Sequence, residues 1–326
     1  MYIPGSFTIA LVMTLMSAVF WGSWANTYKG AKNYRFELFY WDYMIGVLIC
    51  SFGLALTMGS TGAAGEGFIT NLHLADYSNW FYALVAGFIF NIANLLLVAG
   101  IDIAGLAVAF PISIGIAVVE GVVLSYIQQP KGNALYLAAG VALAIAAILC
   151  DALAYSNLTG SGRKVSRKGI VVNVVSGILM GAFAPLWARA QTTGHPLTPY
   201  SVAALFSVGA FICCFFVNVY FMRHPLVGEP VNFSGFWPAG ARNHLFGIGG
   251  GIVWAFGTSF NLIAGGFVGV AISYAIGQSA PMIAALWGVL AWKEFSGAGR
   301  KSWTFLGLMF VFYLAAVTMI AFAYEG

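Results

Sequence analysis

The chain has 326 residues, of which 61% are hydrophobic, 16% aromatic and only 7% charged, with a formal net charge of +4. Soluble domains carry about 25% charged residues, so this chain cannot cover a soluble particle of its size, and the class that remains is an integral membrane protein. The basic residues fall between apolar runs, which sets nucleic acid aside as a partner and makes positive charge a report of orientation.

Residues 1–5, MYIPG, lack the charged n-region of a removable signal, and the apolar run behind them is long enough to span. A crossing helix needs about 20 mostly apolar residues. Ten runs qualify: 6–28, 36–58, 79–101, 105–127, 133–154, 169–190, 199–222, 244–265, 269–292 and 303–324. They are continuous rather than alternating, which argues against a β-barrel. The expected fold is therefore all-α. With the N-terminus outside, Lys29, Lys32, Arg35, Arg163, Lys164, Arg167, Lys168, Arg223, Arg242, Lys293, Arg300 and Lys301 face the cytoplasm, and only Lys131 and Arg189 face outward. The positive-inside rule selects that orientation, with both termini outside the plasma (bacterial inner) membrane. Cys50, Cys150, Cys213 and Cys214 lie in apolar runs at no metal-binding spacing and read as reduced packing residues.

The two halves resemble each other. GLAVAFPIS (105–113) matches GVAISYAIG (269–277), and SAVFWGSWA (17–25) matches SGILMGAFA (176–184). A five-helix repeat (1–155), a basic connector (156–168) and a second five-helix repeat (169–326) are expected. Five is odd, so the second copy enters the membrane from the opposite side. This is the inverted-repeat plan of transporters that alternate access around a midplane site. The stretch around Gly22, Tyr28 and Lys29 is the expected inner gate, and Pro185, Trp187 and Arg189 form the expected outer one.

Ionisable groups at membrane depth mark function. Glu120 lies well inside the fourth run and is the expected proton-coupling group, joined by Asp42, which is expected to pair with Lys29 or Lys32. Asn91 and Asn94 share one face of the third run. Trp24 and Asn26 in the first half, with Trp254, Asn261, Tyr274 and Gln278 in the second, complete the expected substrate site. Amides offer donors and acceptors to an uncharged polar solute, and aromatic walls suit flat heterocycles or sugar rings. Gly247 and Gly251 have small-xxx-small spacing and read as a close helix contact. Lys293 and Glu294, with Arg300 and Lys301, read as an orientation anchor. Neither a metal, a cofactor nor a catalytic constellation is expected, because HExxH, a Cys–His cluster and a Ser–His–Asp set are all missing from the apolar runs.

The Gly22-Ser23-Trp24 turn, Asp42-Tyr43, LTMGSTG (56–62), NIAN before GLAV, GQSAP (277–281), Trp287-Gly288 and KEFSGAGRKSWT (293–304) follow one another along the chain. In that order they resemble the ureide permease family of the drug/metabolite transporter superfamily. The last segment is also similar to the rhamnose–proton symporter family. The resemblance implies ten helices in two inverted repeats and proton-coupled uptake of a ureide, nucleobase or related heterocycle. A sugar taken up with protons and an exported metabolite are the alternatives. Plant members carry a long central cytoplasmic loop, from which the short stretch 155–168 departs. The partners implied are the solute, protons and the bilayer, for a monomer or weak homodimer.

Overall fold

A computed structural model describes residues 1–104, 106–158 and 166–325. Gly105, at the head of the first repeat match, and most of the expected connector, with Arg163 and Lys164, lie outside the described residues. Among the described residues there is no strand, and ten helices are long and apolar enough to cross a membrane. They are α1 (Phe7–Gly30), α2 (Phe36–Leu56), α3 (Tyr77–Ala104), α4 (Leu106–Gln128), α5 (Ala134–Leu158), α6 (Arg167–Ala190), α7 (Pro199–Arg223), α8 (Ala241–Val268), α9 (Val270–Leu290) and α10 (Arg300–Tyr324). The protein is an all-α integral membrane protein.

Local chemistry sets the ends of several helices. Ser6 accepts from Ile9 N at the start of α1, Ser166 from Gly169 N at α6, and Thr198 from Ser201 N at α7, where Pro199 fills the first helical position. Between α8 and α9 the chain reverses through Gly269 alone, at φ 101, a conformation that side chains rarely adopt. Span α9 itself is broken: Val270–Gly277 stops, Gln278 and Ser279 sit near ψ 0, and Ala280–Leu290 resumes. Pro281 fits the interruption, since it has no N–H to bond back four residues and sits in the first turn of the helix that resumes, where none is needed.

The helices pack in a repeating pattern. Span α6 lies against α3 and α4, and α1 lies against α8 and α9. Likewise α7 runs along α3, and α2 along α8, while α5 pairs with α10. Adding five to each helix number converts one set of contacts into the other. The finest detail is glycine against carbonyl. A Cβ on Gly46 would meet Ile248 O at 2.0 Å, and one on Gly251 would meet Tyr43 O at 1.9 Å. In the α3–α7 pair a Cβ on Gly209 would meet Leu84 O at 2.0 Å, and one on Gly87 would meet Phe206 O at 1.9 Å. Each glycine stands three residues after the carbonyl that its opposite number touches. Backbones this close need a bare Cα, the usual device for helix association in lipid.

The two faces are pinned in parallel fashion. Met1, the 57–67 loop, Thr198 and the end of α10 gather on one face, through Tyr2 N to Met58 O, Thr198 N to Asn71 Oδ1 and the stacked Phe7–Tyr324 rings. Buried Asn79 donates to Thr193 O and His195 O there. Buried Asn243 does the same on the opposite face, donating to Lys32 O and accepting from Lys32 N. The two asparagines sit in the first turns of α3 and α8 and hold the α6–α7 and α1–α2 loops respectively.

Candidate functional site

Between the helices six rings form the centre of a larger aromatic cluster, which Trp21, Tyr40, Trp187 and Tyr274 extend. Trp254 stacks on Phe90 at 4.6 Å and on Phe206 at 6.0 Å, with interplanar angles of 28° and 19°. Tyr43 approaches Trp254 at 6.4 Å and Trp24 at 4.9 Å. Phe183 approaches Phe90 at 5.5 Å and Phe206 at 6.0 Å. Three rings (Trp24, Tyr43, Phe90) come from α1, α2 and α3, and three (Phe183, Phe206, Trp254) from α6, α7 and α8. Stacked and edge-on rings at these distances form a deep, low-dielectric wall with flat faces.

The expected amides divide into two groups. Asn94 donates to Tyr40 Oη at 3.1 Å, and the Tyr40 ring lies 5.2 Å from Tyr43, so Asn94 borders the rings. Gln278 sits at the break in α9, about nine-tenths buried, and its side-chain amide makes no hydrogen bond among the described residues. Asn261 is committed elsewhere: its amide donates to Ser273 O at 2.7 Å and to Ser17 Oγ at 3.3 Å, fastening α8 to α9 and α1. Asn91 faces α7, where Cys214 donates weakly to its Oδ1 at 3.8 Å. Tyr274 donates to Ala117 O and Met180 O and packs its ring edge-on to Phe183 at 5.7 Å. Tyr274 therefore joins α9 to α4 and α6.

At the basic face α1 is clasped to the chain beyond the α9 break. Ser23 accepts from Trp287 Nε1 at 2.9 Å, Asn26 from Trp292 Nε1 at 2.5 Å, and Lys29 pairs with Glu294 at 2.5 Å. Tyr155 donates to the other Glu294 oxygen at 3.1 Å, and Lys29 lies over the Trp292 ring. Asn26, expected at the substrate site, belongs to this clasp. Glu294, expected to be an anchor, is its acidic half. Gly22 lets α1 close on α9, because a Cβ there would strike Ala280 O at 2.4 Å. Tyr28 packs on Phe36 and Phe39 instead, beside a cavity of about 280 Å³ lined by Arg35, Glu37 and Asp102.

Asp42 does not pair with Lys29 or Lys32. It is 3% exposed and accepts from Tyr34 Oη at 2.8 Å, with His244 Nδ1 also at 2.8 Å, under Gly247. Lys29 is held by Glu294 instead, and after the turn at Asn33 (φ 52) it is Tyr34 that reaches Asp42. Burial and then the Asp42 bond push the Tyr34 hydroxyl well above its ordinary value. Glu120 lies against Gly181, where a Cβ would come within 3.0 Å of its Oε2.

The expected outer gate is not one cluster. Trp187 is fully buried against Phe183 at 4.6 Å and Phe206 at 5.3 Å, while Pro185, also buried, lies two positions from both Phe183 and Trp187 along α6 and so on another face. Arg189 points to the other side, 4.7 Å from the Tyr82 ring, since two positions along a helix face away from each other. On the terminal face Glu66 ties two loops together. It accepts from Asn71 Nδ2 at 2.9 Å and from His195 at 2.9 Å, and those two contacts hold its carboxyl below the usual range. A cavity of about 450 Å³ opens beside this pair, lined also by Gln129, Gln191 and Thr198. No group of three His, Cys, Asp or Glu that could hold a metal occurs among the described residues.

Comparison with known proteins supports this architecture. The family model "Ureide permease" matches residues 164–323. Ureide permease 1 of Arabidopsis thaliana is 24% identical over 387 aligned positions, covering 98% of both chains. Ureide permease 2 of the same plant is 22% identical, with the same coverage. A crystal structure superposes with a TM-score of 0.67 at 14% identity, covering 95% of this chain and 97% of that one, a likeness of fold alone. With the helix count, the full-length alignments and the family match together, the chain is similar to the ureide permeases from end to end, and this likeness is to membrane transporters, not enzymes.

Proposed function

We propose that the chain is a secondary active transporter in which two inverted five-helix repeats, 1–155 and 169–326, rock about the six-ring cluster. It moves a small uncharged polar solute of the ureide or oxo-heterocycle class together with protons. The observation that carries this reading is the reciprocal glycine pattern. Gly209 stands 163 positions after Gly46, and Phe206 stands 163 after Tyr43, while Gly251 and Ile248 stand 164 after Gly87 and Leu84. Two helix pairs thus make one contact in two settings, as a duplicated unit would. Ten crossings put an odd number in each copy, so the copies run in opposite senses. The rings obey the same spacing: Trp254 stands 164 after Phe90, and Phe206 stands 163 after Tyr43. A site on the pseudo-two-fold between repeats is where such transporters hold their cargo.

Neutral cargo follows from what surrounds the rings. An amide and a hydroxyl border them, Asn94 and Tyr40 beside the Tyr43 ring. Flat faces favour a planar solute, in keeping with the plant relatives' names. For coupling, the two copies differ at one telling position. Gly22 abuts Ala284 N while Gly181 abuts Glu120, and Ala284 stands 164 after Glu120. The first copy alone places a carboxyl at this contact, which suits a proton carrier. Asp42, bridging the α1–α2 loop and α8, serves the inner side. The clasp from Lys29 to Glu294 acts as the inner gate, and Trp187 with the Glu66–His195 pair as the outer one. The basic residues on the face opposite the termini support a cytoplasmic assignment for that face.

The test is uptake into proteoliposomes, with allantoin, uracil and rhamnose as solutes. Saturable heterocycle uptake driven by an inward proton gradient is expected. Glu120→Gln is expected to keep solute counterflow and lose gradient-driven accumulation. Full accumulation by that variant removes Glu120 from coupling, and uptake of rhamnose alone replaces the solute class.

A further inference from the structure

Two hydrogen-bonding groups are buried against the ring cluster with no partner. The Tyr43 hydroxyl and the Trp187 indole N–H belong to residues 0% exposed, and neither atom makes a hydrogen bond among the described residues. A buried donor left unpaired is destabilising, and folded chains seldom keep one unless something fills it. Buried side-chain atoms without a partner also occur away from the rings, at Asp151 on α5 and at Ser302 and Tyr313 on α10, so it is position that sets these two apart. Here they flank one stack of rings: Tyr43 touches Trp254, Trp254 stacks on Phe206, and Phe206 touches Trp187. They come from opposite halves of the chain, Tyr43 on α2 and Trp187 on α6. Neither is needed to hold its own helix, since α2 and α6 are bonded through their backbones and pinned by Gly46 and Gly177 contacts.

We propose that the Tyr43 hydroxyl and the Trp187 N–H are the specificity-determining donors of the midplane site. They hydrogen-bond to acceptor oxygens on two edges of a flat, neutral ring lying against Trp254. The proposal rests on the transport reading above and sharpens it to residues. An indole N–H can only donate, so the edge it meets must accept. A phenol can donate or accept, so the second edge is read less strictly. The matching chemistry is a heterocycle with carbonyl groups on separate edges, and the loss of either carbonyl leaves a buried donor unpaired. Sites of this kind discriminate more sharply than apolar pockets do, because the rejected analogue strands a polar group.

The experiment uses the full-length purified protein and two probes, uracil and pyrimidine, which share a ring, uracil having two carbonyls and two N–H groups where pyrimidine has bare ring nitrogens. Binding is measured by calorimetry, and unfolding temperature is measured without ligand. The wild type is expected to prefer uracil to pyrimidine by tenfold or more. Tyr43→Phe and Trp187→Phe each keep a ring and remove the donor, and each is expected to cut that preference about tenfold. Tyr43→Phe, which leaves no gap, is expected to unfold at or above the wild-type temperature. A preference within twofold of wild type in both variants overturns the assignment of the two donors while leaving the transport reading intact. A Tyr43→Phe variant that unfolds earlier and loses both probes equally makes the hydroxyl structural, and overturns it too. A wild type that binds rhamnose and neither heterocycle overturns the solute class, and the donors with it.

Discussion

Replacing Lys29 with alanine should open the clasp between α1 and the chain beyond α9, and its size can be worked from the contacts. Lys29 and Glu294 are 2.5 Å apart, but their side chains are 47% and 29% exposed. A pair so wet contributes about 0.2–1 kcal/mol. The ammonium also sits 5.1 Å from the Trp292 ring centroid, which adds about 0.5 kcal/mol at an exposed site. The bonds from Trp287 to Ser23 and from Trp292 to Asn26 survive the substitution. A net loss of about 1 kcal/mol shifts the closed-to-open ratio about fivefold. Amide hydrogen exchange over residues 291–299 reports that ratio directly, because local opening sets the rate there. Exchange about fivefold faster in Lys29→Ala and Glu294→Gln, with recovery in the charge-reversed pair K29E/E294K, is the expected outcome. Unchanged exchange in both single variants, or a reversed pair no slower than either, refutes the clasp.

Three further outcomes follow from other contacts. Gly46→Ala and Gly209→Ala each force a Cβ toward a carbonyl 2.0 Å away, so each should cost about 1–3 kcal/mol of stability, whereas Gly53→Ala, with nothing within 4 Å, should cost nothing; thermal unfolding of the three variants decides it, and a harmless change at either packing glycine contradicts the helix pairing. Asp42→Leu should lower the unfolding temperature well beyond Asp42→Asn, because leucine strands both Tyr34 and His244 while asparagine still offers an acceptor oxygen; equal losses would mean that burial alone matters. Glu66 has a depressed carboxyl pKa, so its hold on Asn71 and His195 is complete above the ordinary carboxylate value and is lost as pH falls through the depressed one. Protection of the 57–67 loop from proteolysis should therefore persist to mildly acidic pH and fail below it in the wild type, and Glu66→Gln should weaken protection at every pH without that acid step.

Much of this was legible from residues alone, and the failures have common causes. Ten apolar runs declared ten helices because length and hydropathy are local properties. Gly247 and Gly251 were readable as a contact surface, since small-xxx-small spacing states its purpose, and both do face α2. Trp24, Trp254, Asn94 and Gln278 stood out as polar or large groups at depth. Phe90, Phe183 and Phe206 did not, because 27 phenylalanines in an apolar chain look alike until packing selects three. The partner of a charge was the least readable feature. Lys29 and Glu294 are 265 positions apart, and Asp42 and His244 are 202 apart, so sequence proximity pointed Asp42 at the wrong lysines. His244 opens the eighth apolar run, and nothing local marks it as the partner of Asp42; it lies in the first turn of α8. The break in α9 did leave a signal, the proline of GQSAP, which favours the first turn of a helix and so could have marked a new start there.

The most direct test of the six-ring site is a structure of the protein saturated with a heterocycle it transports. Density stacked on Trp254 between α1, α3, α6 and α8, with ring oxygens toward Tyr43 and Trp187, is the predicted result. Solute held only in the 450 Å³ cavity beside Glu66 and His195, with the rings still packed on one another, would contradict the account.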